Sequence, residues 1–385
     1  MKKRILYFMP DNPSARKAGN LTRCTQMLNY LESLSDIYEV DFLSIGDWEK
    51  EDWTTENKRK FITEHPNVKL HLINRKGSKT SKVKQFFEYK LLNILPKLIK
   101  GTSVDITNPM LNRKVSNFID KGNYDKVIVS YASWAKVVSN IKTKPYLIVD
   151  THDFITAQSR DKIGKIGKLF QSEINILKNF DEIWTYSVEE EYIFGQFTDK
   201  KITLIPISFP FCPTEYKENY KYELIFVGSQ NPHNITGIQW FEKEVLPFLE
   251  DTKVHIIGKI CKVVPDHPNF VKHGMVDDIE DFYQNTKIAI CPMLSGTGIK
   301  IKVLEALSHS LPVVTNRRGV DGLLNKTLNG CIVENTGKDF AEAILKLLHD
   351  KSFYIEKKKE AEKYFLENHS FEKEKKVLDN IFLTK

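Results

Sequence analysis

Short, compact apolar runs alternate with stretches of helical spacing along most of this chain. Ile5 to Met9 is the first run and stops at Pro10. After a polar loop from Asp11 to Gly19, Leu21, Leu28, Leu31 and Leu34 recur at helical spacing. Further apolar runs lie at 38–45, 68–73, 124–130, 145–150, 181–187 and 201–206. Runs without polar alternation mark strands buried on both faces, as in parallel sheets. Helical patterns over 154–179 and from Glu189 onward fall between them. Strand–helix–strand alternation of this kind predicts a parallel sheet with helices on both faces.

The pattern breaks at Ser208 to Thr214, where two prolines interrupt any periodicity. It then restarts, with strands predicted at 222–227, 254–258, 270–274, 288–290 and 313–314. Helices are predicted over 238–249 and 279–285, and a helical, lysine-rich tail over 338–384. The domains expected are therefore 1–208 and 209–365, with a final helix over 366–385. A chain of 385 residues agrees with two cores, because one core seldom grows past about 250–300 residues.

One stretch carries most of the candidate chemistry. Cys291 to Asn316 reads CPMLSGTGIKIKVLEALSHSLPVVTN: a strand exit, a loop with two glycines, a helix start with Lys300 and Lys302, then Glu305. Backbone N–H groups at a helix start, the positive end of the helix dipole and two ammonium groups describe an anion site, with phosphate or diphosphate as natural ligand. A carboxylate repels phosphate, so Glu305 is expected to accept from neutral hydroxyls such as those of a ribose. In the first half, Asp150-Thr151-His152-Asp153 ends a predicted strand. There His152 either meets a substrate hydroxyl or is merely solvated beside capping aspartates.

A net charge of +7 admits nucleic acid, an anionic membrane or anionic small substrates. No zinc-finger spacing and no RNA-binding aromatic signature is present, which argues against nucleic acid. The five cysteines are scattered and include no CxxC pair, so neither a disulfide framework nor a metal site is indicated, and a reducing, cytoplasmic location fits. The N-terminal apolar run is too short for a signal peptide. Lysines at 76, 79, 82, 84, 90, 97 and 100 alternate with Phe86, Phe87, Tyr89 and several leucines and isoleucines. This segment suits either an ordinary surface helix or docking to an anionic membrane on the inner face of the cell membrane.

The segments FVGSQNPHNITGIQWFEKEVLPFL and VKHGMVDDIEDFYQNTKIAICPMLSGTGIKIKVLEALSHSLPVVTNRRGVDGL resemble the retaining glycosyltransferases of GT-B fold, more narrowly family four, the "group one" glycosyltransferases. The likeness is strong over about 222–350 and looser before that. It implies an α/β GT-B fold with two Rossmann-like, doubly wound domains facing a central cleft. The N-terminal domain would bind the acceptor and the C-terminal domain the nucleotide sugar, with the last helix crossing back to the first domain.

By the same resemblance Glu305 binds ribose, and Gly298, Ile299 and Lys300 border the diphosphate. His273, Gly274 and Met275 pass the base, largely through backbone contacts, Gly228 and Ser229 face the donor phosphates, Gly19 approaches phosphate and acceptor, and His152 lies near the transferring sugar. Two departures stand out. Thr297 occupies the place of a second glutamate, so either the sugar is read differently or Thr297 supplies a weaker hydroxyl contact. The loop after the 222–227 strand lacks the usual Arg and Lys, so Lys300 and Lys302, with Asn234, would carry the diphosphate charge. The expected activity is sugar transfer with retention, without cofactor or metal, to a glycan or lipid-linked acceptor in cell-envelope polysaccharide assembly. A nucleotide-sugar epimerase and a non-catalytic transferase-like subunit are the alternatives.

Overall fold

A computed structural model describes residues 2–15, 19–49, 52–75, 102–159 and 163–384. The basic segment 76–100 lies outside the described residues. The chain divides into two compact units, one of residues 1–185 with 190–204 and the other of 186–189 with 205–385. The division thus falls slightly before residue 208. Residues 366–385, expected to cross back to the first domain, group with the second unit.

The first unit is a seven-stranded parallel sheet in the order β3-β2-β1-β4-β5-β6-β7. Its strands are β1 Lys3–Phe8, β2 Tyr38–Ile45, β3 Val68–Ile73, β4 Lys126–Ser130, β5 Tyr146–Asp150, β6 Glu182–Thr185 and β7 Lys201–Leu204. Ile5, Leu6, Tyr7 and Phe8 are essentially fully buried, as expected of a central strand covered on both faces. Helices α1 Gly19–Ser33, α2 Thr55–Glu64 and α3 Pro109–Gly122 lie between the early strands. The last two carry side-chain caps, Thr54 and Asn108, that the strand pattern did not bring out. The helix expected over 154–179 is interrupted: the described parts are α4 Ile155–Gln158, a 3₁₀ turn and α5 Ile166–Leu177. Between β6 and β7 runs α6 Val188–Phe197.

The second unit is a six-stranded parallel sheet in the order β10-β9-β8-β11-β12-β13. Its strands are β8 Tyr222–Val227, β9 Val254–Ile257, β10 Phe270–Gly274, β11 Thr286–Cys291, β12 Val313–Thr315 and β13 Cys331–Val333. The sixth strand, β13, was not expected, because three residues show no period. The helices are α7 Pro232–Trp240, α8 Glu280–Gln284, α9 Ile301–Ser308, α10 Gly337–His349, α11 Lys351–His369 and α12 Phe371–Phe382. Helix α7 begins well before Ile238, inside the stretch expected to be loop. Asn231 caps it by accepting from Asn234 N, and Pro232 takes the first turn, where no N–H is needed.

Strand order reverses in the second sheet between β8 and β11, and in the first between β1 and β4. Open parallel sheets bind ligands at the carboxyl ends of the strands at such a reversal. In the second unit the loops leaving β8 and β11 are 228–231 and 292–300, the two that the sequence had singled out.

Candidate functional site

Within the second unit the two loops are tied together by side chains. Lys302 Nζ donates to Asn234 Oδ1 at 2.6 Å, and Asn234 Nδ2 donates to the Ser229 carbonyl at 2.9 Å. His233 Nδ1 lies 2.7 Å from Ser295 Oγ, a second tie between the start of α7 and the glycine loop. Burial of the Lys302 ammonium lowers its pKa, and its nitrogen sits 4.6 Å from the Phe226 ring centre. The bond from His233 to Ser295 is a structural tie that sets the residue on the rim of the loop.

Gly237 explains how close the helix and the strand exit come. A Cβ there would lie 1.8 Å from the Pro292 carbonyl oxygen, so only glycine lets α7 rest on the backbone leaving β11. The glycine loop itself takes positive φ at Gly296 and Gly298, 103° and 66°. Side-chain-bearing residues rarely adopt that region, which accounts for Gly-x-Gly at this turn.

The loop delivers α9 with a bare end. Lys300 is its N-cap residue, and no side chain caps the helix, whereas Asn231, Thr336, Asp350 and Ser370 cap α7, α10, α11 and α12. First-turn amides are left without a side-chain acceptor, and the helix dipole adds positive potential there. Lys300 is only 7% exposed and turns back on its loop, donating to the carbonyls of Gly298 at 2.7 Å and Thr297 at 3.2 Å. Its pKa is lowered chiefly by burial. Arg318, on the 3₁₀ turn after β12, contributes positive potential at Lys300 and pairs with Asp321 at 3.2 Å. The sequence reading passed over this arginine.

Glu305 lies one turn into α9. The Tyr283 hydroxyl donates to its Oε2 at 3.2 Å. Burial pushes the carboxyl pKa up, opposed by the Tyr283 bond and by the nearby His309 and Lys302. The residue is therefore a largely desolvated acceptor held from one side, with Oε1 available. Tyr283 was not foreseen, because its link to Glu305 bridges two helices and follows no local spacing.

His273 turns elsewhere. Its Nε2 is 2.9 Å from His255 Nδ1, the two rings stack, and Tyr222 and Phe282 pack around them. Its side chain thus belongs to an aromatic cluster, and any part in ligand binding falls to backbone. Gly274 accepts from Gly258 N at 2.6 Å, which ties the ends of β9 and β10, and Met275 beyond it is 69% exposed.

In the first unit His152 follows β5 with φ 56°, and Tyr131 follows β4 with φ 67°. Two adjacent strands thus end in non-glycine residues with left-handed backbone, a strained arrangement that clusters at functional sites. Their rings pack 4.4 Å apart, and His152 Nε2 lies 3.3 Å from Ser130 Oγ and 3.4 Å from Asp150 Oδ2. The His152 side chain is 4% exposed, so it is not simply solvated. The buried Glu173 caps the next helix, accepting from Ile155 N, Thr156 N and Thr156 Oγ. Gly19 opens α1 in the same unit.

Two Rossmann-like parallel sheets of this order define the GT-B fold. Sucrose-phosphate synthase from Thermosynechococcus elongatus superposes with a TM-score of 0.70 at 14% identity, covering 99% of this chain and 98% of that one. A mutant of S. aureus TarM in complex with Fondaparinux, alpha-GlcNAc-glycerol and UDP gives 0.67 at 14% identity, over 99% of this chain and 100% of that one. Anabaena Alr3699/HepE in complex with UDP-glucose gives 0.63 at 11% identity, over 99% and 100%. By sequence, residues 221–350 match the family "Glycosyl transferases group 1". An "uncharacterized 44.6 kDa protein in cps region" of Klebsiella pneumoniae is 25% identical over 195 residues, 46% of this chain. The match spans about half the length of that relative, 49%.

Proposed function

We propose that this chain is a group 1 glycosyltransferase that takes a sugar from a nucleoside-diphosphate donor and passes it, with retention, to a glycan or lipid-linked acceptor in polysaccharide assembly. The observation that carries this reading is the side-chain-free N-terminus of α9 behind Gly296 and Gly298, with the Tyr283-held Glu305 one turn on. Amides at the helix start suit a diphosphate, and a buried carboxylate suits ribose hydroxyls. The family match over this stretch and the UDP complexes of fold relatives agree with that donor class. The cps-region relative supports a role in polysaccharide assembly.

Glycosyl transfer passes through an oxocarbenium-like state while negative charge builds on the leaving diphosphate. The helix start, Lys300 and Lys302 would stabilise that charge without a metal, each lysine exchanging a present acceptor for phosphate oxygen. Front-face attack fits retention, with the diphosphate taking the acceptor's proton. His152, oriented by Asp150 and Ser130, would contact the sugar. Membrane association through 76–100 and a cytoplasmic, inner-face location remain part of the proposal. Among the described residues no helix is long and apolar enough to cross a membrane.

A thermal-shift screen of nucleotide sugars tests the donor class. One of them at a hundred times its Kd should stabilise the chain by about 2.7 kcal/mol. If no nucleotide or nucleotide sugar raises Tm, the donor site is misassigned. Incubating that donor without acceptor separates the readings: sugar isomerisation would indicate an epimerase. Binding with no transfer to any acceptor and no nucleotide release would indicate a non-catalytic subunit.

A further inference from the structure

Cys212, Glu280 and His309 offer one sulfur, one oxygen and one nitrogen, all within 4.8 Å of one another. They come from the segment before β8, from α8 and from just past the end of α9, so no local spacing reveals them. The hydrogen bonding of His309 is what makes the cluster informative. Its Nδ1 lies 2.7 Å from the Glu305 carbonyl, which can only accept, so Nδ1 carries a proton. In a neutral ring Nε2 then presents a lone pair. That lone pair faces Glu280 Oε2 at 2.8 Å, another acceptor. Two acceptors at this distance need a positive species between them, either a second proton or a metal ion.

We propose that the cluster is a binding site for a divalent cation of the zinc type, liganded by Cys212 Sγ, His309 Nε2 and Glu280 Oε2, with water completing the set. Mixed thiolate, imidazole and carboxylate ligands suit Zn²⁺. The surroundings are those of a metal site, where ligands are held from behind. Besides the His309 bond to the Glu305 carbonyl, Gln284 Nε2 donates to Glu280 Oε1 and to the Cys212 carbonyl, each at 3.1 Å. Cys212 N donates to the Ser308 carbonyl at 3.0 Å, and the Tyr283 ring stacks on His309. A tetrahedral N–Zn–O pair is about 3.3 Å across, so Glu280 moves outward by about 0.5 Å on loading. Its side chain is 47% exposed and free to do so. The ion would pin α8 to the end of α9 and touch no donor group, so this proposal stands apart from the proposed transfer reaction and its lack of a catalytic metal.

The test is titration of the full chain, first stripped with chelator, with Co²⁺. One equivalent should bind with tetrahedral visible bands and a thiolate-to-cobalt charge-transfer band, and Zn²⁺ should displace it. Cys212→Ser should abolish the charge-transfer band, and His309→Gln should weaken binding at least tenfold. Cys261→Ser should leave the spectrum unchanged. On the unaltered chain, Zn²⁺ should slow alkylation of Cys212, read by peptide mass spectrometry, which avoids dependence on variants that fold poorly. Absence of a stoichiometric cobalt complex, a band that survives Cys212→Ser, or unprotected Cys212 would each overturn the proposal and leave an imidazolium–carboxylate pair.

Discussion

Glu305 separates a ligand contact from a structural charge. Its carboxyl is buried, yet the structure supplies it with one side-chain donor, Tyr283. Glu305→Gln keeps the shape and one acceptor oxygen but loses the charge. Hydrogen bonds to charged groups contribute about 1.5–3 kcal/mol, so donor affinity should fall by about ten- to a hundredfold, measured by calorimetry with the best nucleotide sugar. Tyr283→Phe should cost less, about 0.5–1.5 kcal/mol. Unchanged affinity in both variants would remove Glu305 from the donor site. Lys302 is expected to act on rate: Lys302→Ala should lower kcat by at least tenfold, and wild-type turnover would contradict its role on the leaving group. At this scale the sequence brought Glu305, Lys300 and Lys302 together, because one loop and one helix carry all three. It was silent on Tyr283 and Arg318, and on the ties of His233 to Ser295 and of His273 to His255, because those partners are remote in sequence.

Loop and helix geometry carries the site at the next scale. The contact of α7 with the backbone at Pro292 sets how closely the β8 and β11 loops approach. Gly237→Ala would drive a methyl into that carbonyl. Helix propensity alone favours alanine by about 1 kcal/mol, so a net loss of stability would mark the close approach as decisive. We expect a loss of about 1–3 kcal/mol in urea unfolding, as for other overpacked sites, together with weaker donor binding. A variant as stable as the parent would show that α7 can shift without consequence. The start of α7 was misread in the sequence as loop, although Asn231-Pro232 is a recognisable cap signal. The strands were read closely because buried apolar runs are contiguous. β13 and helices α2 and α3 were missed, the strand for its brevity and α2 for its mostly polar faces, whereas α3 carries Leu111, Val115 and Ile119 at helical spacing.

For the whole molecule, buried histidines tie stability to pH. His255 is depressed to about 4 by burial and then by the neighbouring His273. His369, donating from Nδ1 to the Ile207 carbonyl, is also depressed to about 4, chiefly by burial. Unfolded histidines titrate near 6.5, so the unfolded chain takes up protons first as pH falls. Stability from both groups is therefore full above about pH 6.5 and is lost progressively down to about pH 4. Urea unfolding midpoints should fall across that window, and His369→Gln should flatten the slope even if it lowers stability at pH 7. An unchanged slope would mean that these rings are not buried neutral in solution. Apolar runs and their spacing determined by themselves that the chain makes two parallel α/β sheets, and one glycine loop marked where an anion would sit. Those properties are local: a strand buried on both faces must be apolar along its length, and a tight turn before a helix needs glycine. The partners of the buried polar groups were decided only by tertiary structure. Strand order brings 228–234 beside 292–302, Tyr283 to Glu305 and Cys212 to His309. A hydrogen bond costs the chain no particular sequence spacing, so nothing in the one-dimensional pattern records which distant group will close it.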